Sequence, residues 1–443
     1  MCDNDADCQR GRIMDTPIYD FLKKYADSDI SRLHMPGHKG SGFLGVEKYD
    51  ITEIKGADSL YEADGIIRRS EKNASEIFGS GDTFYSAEGS SLCIRAMLYA
   101  AYVASGKKGV IAAVRNVHKS FVFACATLGI DVEWVYPGNR DSLCGGCVTA
   151  EEAEKVISEK KPFALYITSP NYLGEMTDIK SVSDICRKYG IPLLVDNAHG
   201  AYFKFTGGHP INSGAAMCCD SAHKTLPVIT GGAYLHVSQE YKQIFSGMIK
   251  DAMSVFGSTS PSYLILSSLD LCNKYMTEGY AEKLSETVRK VNELKKYLKN
   301  RNFELIGSEP LKLTVKTDGE YAAEILRRHG AECEYADKSC VVMMFTPGNS
   351  SGDFEKVRKA FSELSPEFKK PPVITDGIKV MSIRDAVMSR SEKVNVTNAV
   401  GRVCASPSVS CPPAVPVVVS GELITEESID VLMYYGITDI NCI

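Results

Sequence analysis

Residues 220–227 read Asp220-Ser-Ala-His-Lys-Thr-Leu-Pro227 and follow the short apolar run Ala215-Ala-Met-Cys-Cys219. Such a run predicts a buried strand. It delivers Ser221, His223 and Lys224 to its C-terminal end, and Thr230-Gly-Gly-Ala233 follows before the next strand. A lysine beside a serine and a histidine in a glycine-bounded turn could be ordinary surface. A second run upstream argues otherwise. Ile191-Pro-Leu-Leu-Val195 has the same buried character and ends in Asp196-Asn-Ala-His199-Gly. Two strands therefore end on an acid and a lysine, and open α/β sheets bind ligands at the carboxyl ends of their strands.

Outward from this pair the chain alternates strand-like and helix-like segments. Strands are predicted at 83–86, 110–114, 132–136, 163–168 and 233–237. Helices are predicted at 66–78, stopped by Gly79, and at 92–105. Others open at residues 115–120, at the capping box Thr149-Ala-Glu-Glu152 and at residue 183. This rhythm predicts an α/β fold with a mainly parallel, doubly wound sheet. Further helices are expected at about 240–250 and 261–300. A smaller α+β C-terminal domain would carry strands at 311–315, 341–345 and 417–419, with helices at 322–328, 354–364 and from about 426. The expected division is an N-terminal helix and glycine-rich arm over 1–44, a large domain over 45–303 and a small domain over 304–443.

Composition narrows the function classes. The 443 residues carry a net charge of −6 and are 44% hydrophobic and 24% charged, which suits a globular protein and gives no basic field for nucleic acid. No apolar run reaches membrane-span length. The first residues, Met1-Cys-Asp-Asn-Asp-Ala-Asp-Cys8, are acidic, unlike a signal peptide, so the cytoplasm is expected. Fifteen cysteines are scattered through the elements, and Cys144-Gly-Gly-Cys147 lacks the second ligand pair a zinc site needs, so no metal is expected. No GxGxxG follows a first strand, which disfavours a dinucleotide.

Gly89, Ser90 and Ser91 open a predicted helix, where free N–H groups and the helix dipole favour a phosphate. Capping alone would also explain the serines. A phosphate cup, a lysine able to form an imine and an acid able to hold a pyridinium nitrogen together match pyridoxal phosphate. Lys224 is read as the Schiff-base lysine.

At this point the chain resembles the Orn/Lys/Arg decarboxylases, in their short bacterial form. These are pyridoxal phosphate enzymes of fold type I, the aspartate-aminotransferase-like fold. The resemblance rests on His34-Met-Pro-Gly-His-Lys-Gly40, Asp50-Ile-Thr-Glu-Ile-Lys-Gly-Ala-Asp58, Glu88-Gly-Ser-Ser91 and Asn116-Val-His-Lys-Ser120. It continues through Asp196-Asn-Ala-His199, Ser221-Ala-His-Lys-Thr-Leu-Pro227, Thr259-Ser-Pro-Ser-Tyr263, Met381-Ser-Ile-Arg384 and the C-terminal Cys411-Pro-Pro and Gly421-Glu422. Asn197 departs from the glutamate of many relatives.

The resemblance implies that Lys224 binds the cofactor, Asp196 pairs with its ring nitrogen and His118 stacks on its face. Ser90, Ser91, Ser221 and His223 would hold the phosphate with the Gly89 turn, and His199 would lie beside the ring. Ser258, Thr259 and Ser260 look like a loop that reaches a neighbouring subunit's phosphate, which implies a homodimer or larger homo-oligomer. Lys224 or His223 would return a proton after CO2 leaves. The implied activity is decarboxylation of a basic amino acid, arginine first and lysine or ornithine next. Asp58, Glu62 and Asp64 are candidate acceptors for the distal cation. The competing readings are an aminotransferase or β-eliminating lyase, for which Arg384 would be the carboxylate clamp to examine, and an inactive regulatory homologue.

Overall fold

The computed structural model describes residues 14–140, 142–406 and 414–443. The acidic start of the chain and the Cys411-Pro-Pro motif lie outside the described residues. The central sheet has seven strands: β1 (Asp82–Ser86), β2 (Ile111–Val114), β3 (Val132–Val135), β4 (Ala164–Thr168), β5 (Leu193–Asp196), β6 (Met217–Asp220) and β7 (Ala233–Val237). Their order is β1-β7-β6-β5-β4-β2-β3. The pairs β2–β3, β2–β4, β4–β5 and β5–β6 are parallel. Only β7 runs the other way, wedged antiparallel between β1 and β6.

Alternate residues of these strands feed two separate apolar layers, which is why the strands read as continuous apolar runs rather than alternating ones. Ala113, Tyr166 and Leu194 pack beneath Met97, Phe121 and Ile249. Ala112, Leu165, Ile167 and Val195 face the opposite way, against Ala153, Ile157, Ile179 and Val182. Helices therefore cover both faces, and the α/β sheet is the fold expected from sequence.

Several local readings need correction. The expected 261–300 helix is two helices, Tyr263–Thr277 and Tyr280–Lys299, split where Gly279 takes φ +72°. The helix expected from 183 begins earlier, at Ile179, because the Asp178 carboxylate caps it through the Ser181 N–H. Val417–Val419 is buried but forms no strand. Its backbone is held by side chains instead: the Arg115 guanidinium donates to the carbonyls of Pro416 and Val417, and the Glu422 carboxylate accepts the Val419 N–H.

The C-terminal part carries two small antiparallel sheets. Strands β8 (Leu305–Ile306), β9 (Lys312–Lys316), β10 (Tyr335–Ala336) and β11 (Cys340–Met344) form one, in the order β10-β11-β9-β8. Strands β12 (Glu392–Asn395), β13 (Cys404–Ser406) and β14 (Asp439–Cys442) form the other, with β14 in the middle. Among the described residues no helix is long and apolar enough to cross a membrane.

Candidate active site

The acid and the lysine singled out in the sequence lie on adjacent parallel strands, with Asp196 in register with Cys219. Beyond β6 the chain makes one helical turn, Ala222–Thr225, so Lys224 projects from just past the strand end. Its Nζ lies 3.1 Å from His199 Nε2. Asp196 is only 2% exposed. It accepts the Ala198 N–H at 3.2 Å and the Tyr166 hydroxyl at 3.3 Å. Burial raises its pKa, and the nearby Lys224 opposes that rise only in part.

The glycine-serine turn sits opposite. Gly89 opens the helix Gly89–Ala104 with φ +69°, a left-handed conformation costly for any residue with a Cβ. Its N–H donates to the Gly231 carbonyl at 2.7 Å, which ties the turn to the segment after Lys224. Ser221 donates its hydroxyl to Ser90 at 2.8 Å, and Ser120 donates to Ser91 at 2.9 Å. Three segments distant in sequence thus bring hydroxyls to one helix N-terminus. Ser258 lies beside this turn and donates its N–H to the Glu88 carboxylate of the same chain at 2.6 Å, while Ser258, Thr259 and Ser260 are exposed.

Three histidines surround the lysine. His118 caps the helix Lys119–Leu128 by accepting the Ser120 N–H through Nδ1. Burial, then the Lys224 and Lys119 charges, push its pKa down to about 4. Burial and Lys224 likewise hold His199 well below the ordinary histidine range. His223 contacts the Gly232 carbonyl at 3.0 Å, and burial lowers its pKa too. At neutral pH the imidazoles are therefore uncharged.

Beneath the strand ends lies a buried polar support. Asp220 is enclosed by His209 Nε2 at 2.9 Å, His236 Nε2 at 3.2 Å and the Asn197 amide at 2.7 Å. The two imidazoles hold its carboxyl well below the usual range despite burial. Asn197 thereby links the acid-bearing strand β5 to the lysine-bearing strand β6.

The C-terminal part supplies groups that the sequence reading missed. Lys312, the first residue of β9, is buried and donates Nζ to the carbonyls of Asn171 at 3.4 Å and Tyr172 at 3.1 Å. The Tyr172 ring packs edge-on against His199 with centroids 5.2 Å apart. Its hydroxyl donates to Glu334 at 2.7 Å, and Glu334 is exposed. The negative charge of Glu334 favours the protonated forms of both His223 and Lys312.

Other candidates are committed elsewhere. The Asp58 carboxylate accepts five backbone N–H groups, those of Ser59, Asp64, Gly65, Ile67 and Arg68, so it builds the entry to the helix Ile66–Phe78. Glu62 accepts the Ser59 hydroxyl on the surface, and Asp64 is exposed. Arg384 donates to the carbonyls of Ala126 and Thr127, closing the end of a helix, and is no carboxylate clamp. In the arm, His34 bonds to Tyr25 and His38 to Asp50, while Leu33, Phe43 and Leu44 face solvent.

Comparison with known proteins agrees with this geometry. Residues 16–319 match the family model described as Orn/Lys/Arg decarboxylase, major domain, and residues 375–439 match the C-terminal domain of the same family. The chain is 30% identical to an arginine decarboxylase of Halalkalibacterium halodurans, over 94% of this chain and 92% of that protein. It is 29% identical to an arginine decarboxylase of Bacillus subtilis, over 94% and 92% of the two chains. The fold is similar to that of a Francisella novicida lysine decarboxylase, with a TM-score of 0.79 at 17% identity, covering 97% of this chain and 81% of that one.

Proposed function

Because the chain belongs to the Orn/Lys/Arg decarboxylase family, an amino-acid decarboxylase family, we propose that it is a pyridoxal-phosphate-dependent decarboxylase of a basic amino acid, arginine first and lysine or ornithine next. The observation that carries the reading is the pairing of Lys224 with buried Asp196 across adjacent strand ends, beside a helix N-terminus ringed with hydroxyls.

These residues suit the cofactor. Asp196 would hold the ring nitrogen and Lys224 would bind covalently, with His118 against the ring. Ser90, Ser91 and Ser221 would turn their hydroxyls to the phosphate alongside the Gly89 turn and His223. When bound, pyridoxal phosphate supplies an electron sink for the pair released as CO2 leaves.

The chain's own contribution is charge placement. A carboxylate about to leave as neutral CO2 is best met by few cations, and His118, His199 and His223 are all pushed toward neutrality. Lys224 Nζ is the donor we assign to return a proton to the α-carbon. Glu334, steadied by Tyr172, is the acceptor we assign to the substrate's distal cation. A carboxylate there discriminates against neutral side chains, since it would be left without its partner. The exposed Ser258–Ser260 loop beside the turn is consistent with completion of the site by a second subunit in a homodimer.

Incubation with arginine, lysine, ornithine and norvaline, with CO2 and amines followed by mass spectrometry, tests the reading. Agmatine and CO2 from arginine are expected. A 2-oxo acid without CO2 would overturn decarboxylation, and cadaverine or putrescine alone would reverse the substrate order.

A further inference from the structure

The segment 307–314 grips the 171–174 turn at several points. Gly174 accepts the Ser308 and Glu309 N–H groups at 2.9 and 3.0 Å, and the Thr314 hydroxyl donates to the Leu173 carbonyl at 2.8 Å. Polar side chains of this segment are also buried at the contact. The Glu309 carboxylate bonds to the Tyr202 hydroxyl, three residues past His199. Lys312 bonds to two successive carbonyls of the turn, and its Nζ lies 5.6 Å from the Tyr172 ring centroid.

A buried ammonium is costly, and a turn could be fastened by an apolar side chain more cheaply. What the ammonium provides is direction. It fixes the Asn171 and Tyr172 carbonyls and lies against the ring, leaving Tyr172 little freedom to rotate away from His199 or from Glu334. We propose that Lys312 is a positioning residue for substrate selection: by clamping the 171–172 turn it holds Tyr172, and through the tyrosine hydroxyl it fixes the Glu334 acceptor. The inference rests on Glu334 being that acceptor.

The charge environment adds a signature. Burial brings Lys312 down to about 8, with the Glu309 and Glu334 carboxylates supporting its proton and Lys224 opposing it, while burial keeps the neighbouring Cys144 thiol neutral. His199 is the remaining titratable group that feels its charge, and it is neutral over the same range. As pH rises through 8 the ammonium loses its proton, the clamp weakens and substrate binding declines.

The test compares Lys312→Met, Lys312→Arg, Tyr172→Phe and Glu334→Gln with arginine and norvaline as substrates, between pH 6.5 and 9.5. Lys312→Met is expected to raise KM for arginine about tenfold, the loss of roughly one charge-assisted hydrogen bond, with kcat within about threefold and norvaline unaffected. Tyr172→Phe, which removes one oxygen and leaves the fold alone, should give the same split if Lys312→Met fails to accumulate. Lys312→Arg should restore most of the affinity and remove the rise of KM above pH 8. If Glu334→Gln leaves arginine binding unchanged, the acceptor assignment fails. If Glu334→Gln raises KM while Tyr172→Phe or Lys312→Met does not, the acceptor stands and the positioning role is overturned. A fall in kcat and KM for both substrates alike would also overturn it.

Discussion

Single residues decide whether this site works, and Lys224 is the first to examine. Replacing Lys224 with Ala removes a half-buried side chain without opening the core, so thermal stability should change by only a few degrees. Turnover should fall by about a thousandfold or more, together with loss of visible absorbance from the purified protein. Trapping by borohydride at another lysine in that variant would sink the assignment. The neutral histidines make a second expectation. With His118 brought to about 4, kcat should show no inflection near pH 6.5, and an inflection there that vanishes in His118→Gln would contradict its burial-driven shift. Lys224 and Asp196 were legible in the sequence because each ends an apolar run, and strand ends are where such sheets bind ligands. Lys312 was not legible. In Leu311-Lys-Leu-Thr-Val it sits at an alternating strand position where a lysine ordinarily faces water. Tyr172 and Glu334 carry no local signal either, since their roles arise only where the two parts of the chain meet.

At the scale of elements, the first helix shows how local signals and distant partners combine. Pro17 stands at the first position of the helix Pro17–Ala26, yet the helix's free N–H groups are taken by Asp270, which accepts from Ile18 at 2.9 Å and Tyr19 at 3.0 Å. Burial raises the Asp270 carboxyl to about 7. The folded protein therefore holds this proton more tightly than the unfolded chain, and the group's stabilising effect is full below about pH 4 and declines as pH rises through 7. Thermal melts of wild type and Asp270→Asn should thus converge in acid and diverge in favour of Asn by pH 8. A difference independent of pH would show that the carboxyl titrates normally. Much of this level was readable: the capping box at Thr149 and the stop at Gly79 are where they were expected. The direction of β7 was not, because hydrophobic periodicity says which residues are buried and nothing about which way a strand runs. Val417–Val419 misled for a related reason. A buried apolar run looks like a strand whether its backbone bonds to a neighbouring strand or, as here, to Arg115 and Glu422.

At the scale of the whole molecule, exposed groups gather on the arm and beside the Gly89 turn. Ile30, Leu33, Met35, Phe43 and Leu44 are exposed, a density of large apolar side chains that a lone subunit would leave in water. If the active unit is a homodimer with shared sites, co-expressing a Lys224→Ala subunit with one deleted in Ser258–Ser260 should recover up to about a quarter of wild-type activity, the share of sites spared both defects when two subunits mix at random. Full activity in a species that sediments as a monomer would rule out the shared site. The position of β7 bears on how the molecule comes into being. β1 has no strand partner until β7 exists, and β6 keeps an open edge until Ala233–Val237 fills it. The Gly89 turn waits for the same stretch, since its N–H is received by Gly231. A nascent chain therefore carries β1 without a strand partner from residue 86 until residue 233, an exposed edge prone to sticking and one that chaperones shield. Translation that halts before residue 233 releases a fragment with neither a finished sheet nor a Gly89 turn tied to Gly231, so the central sheet and the turn beside Lys224 are completed in the same step.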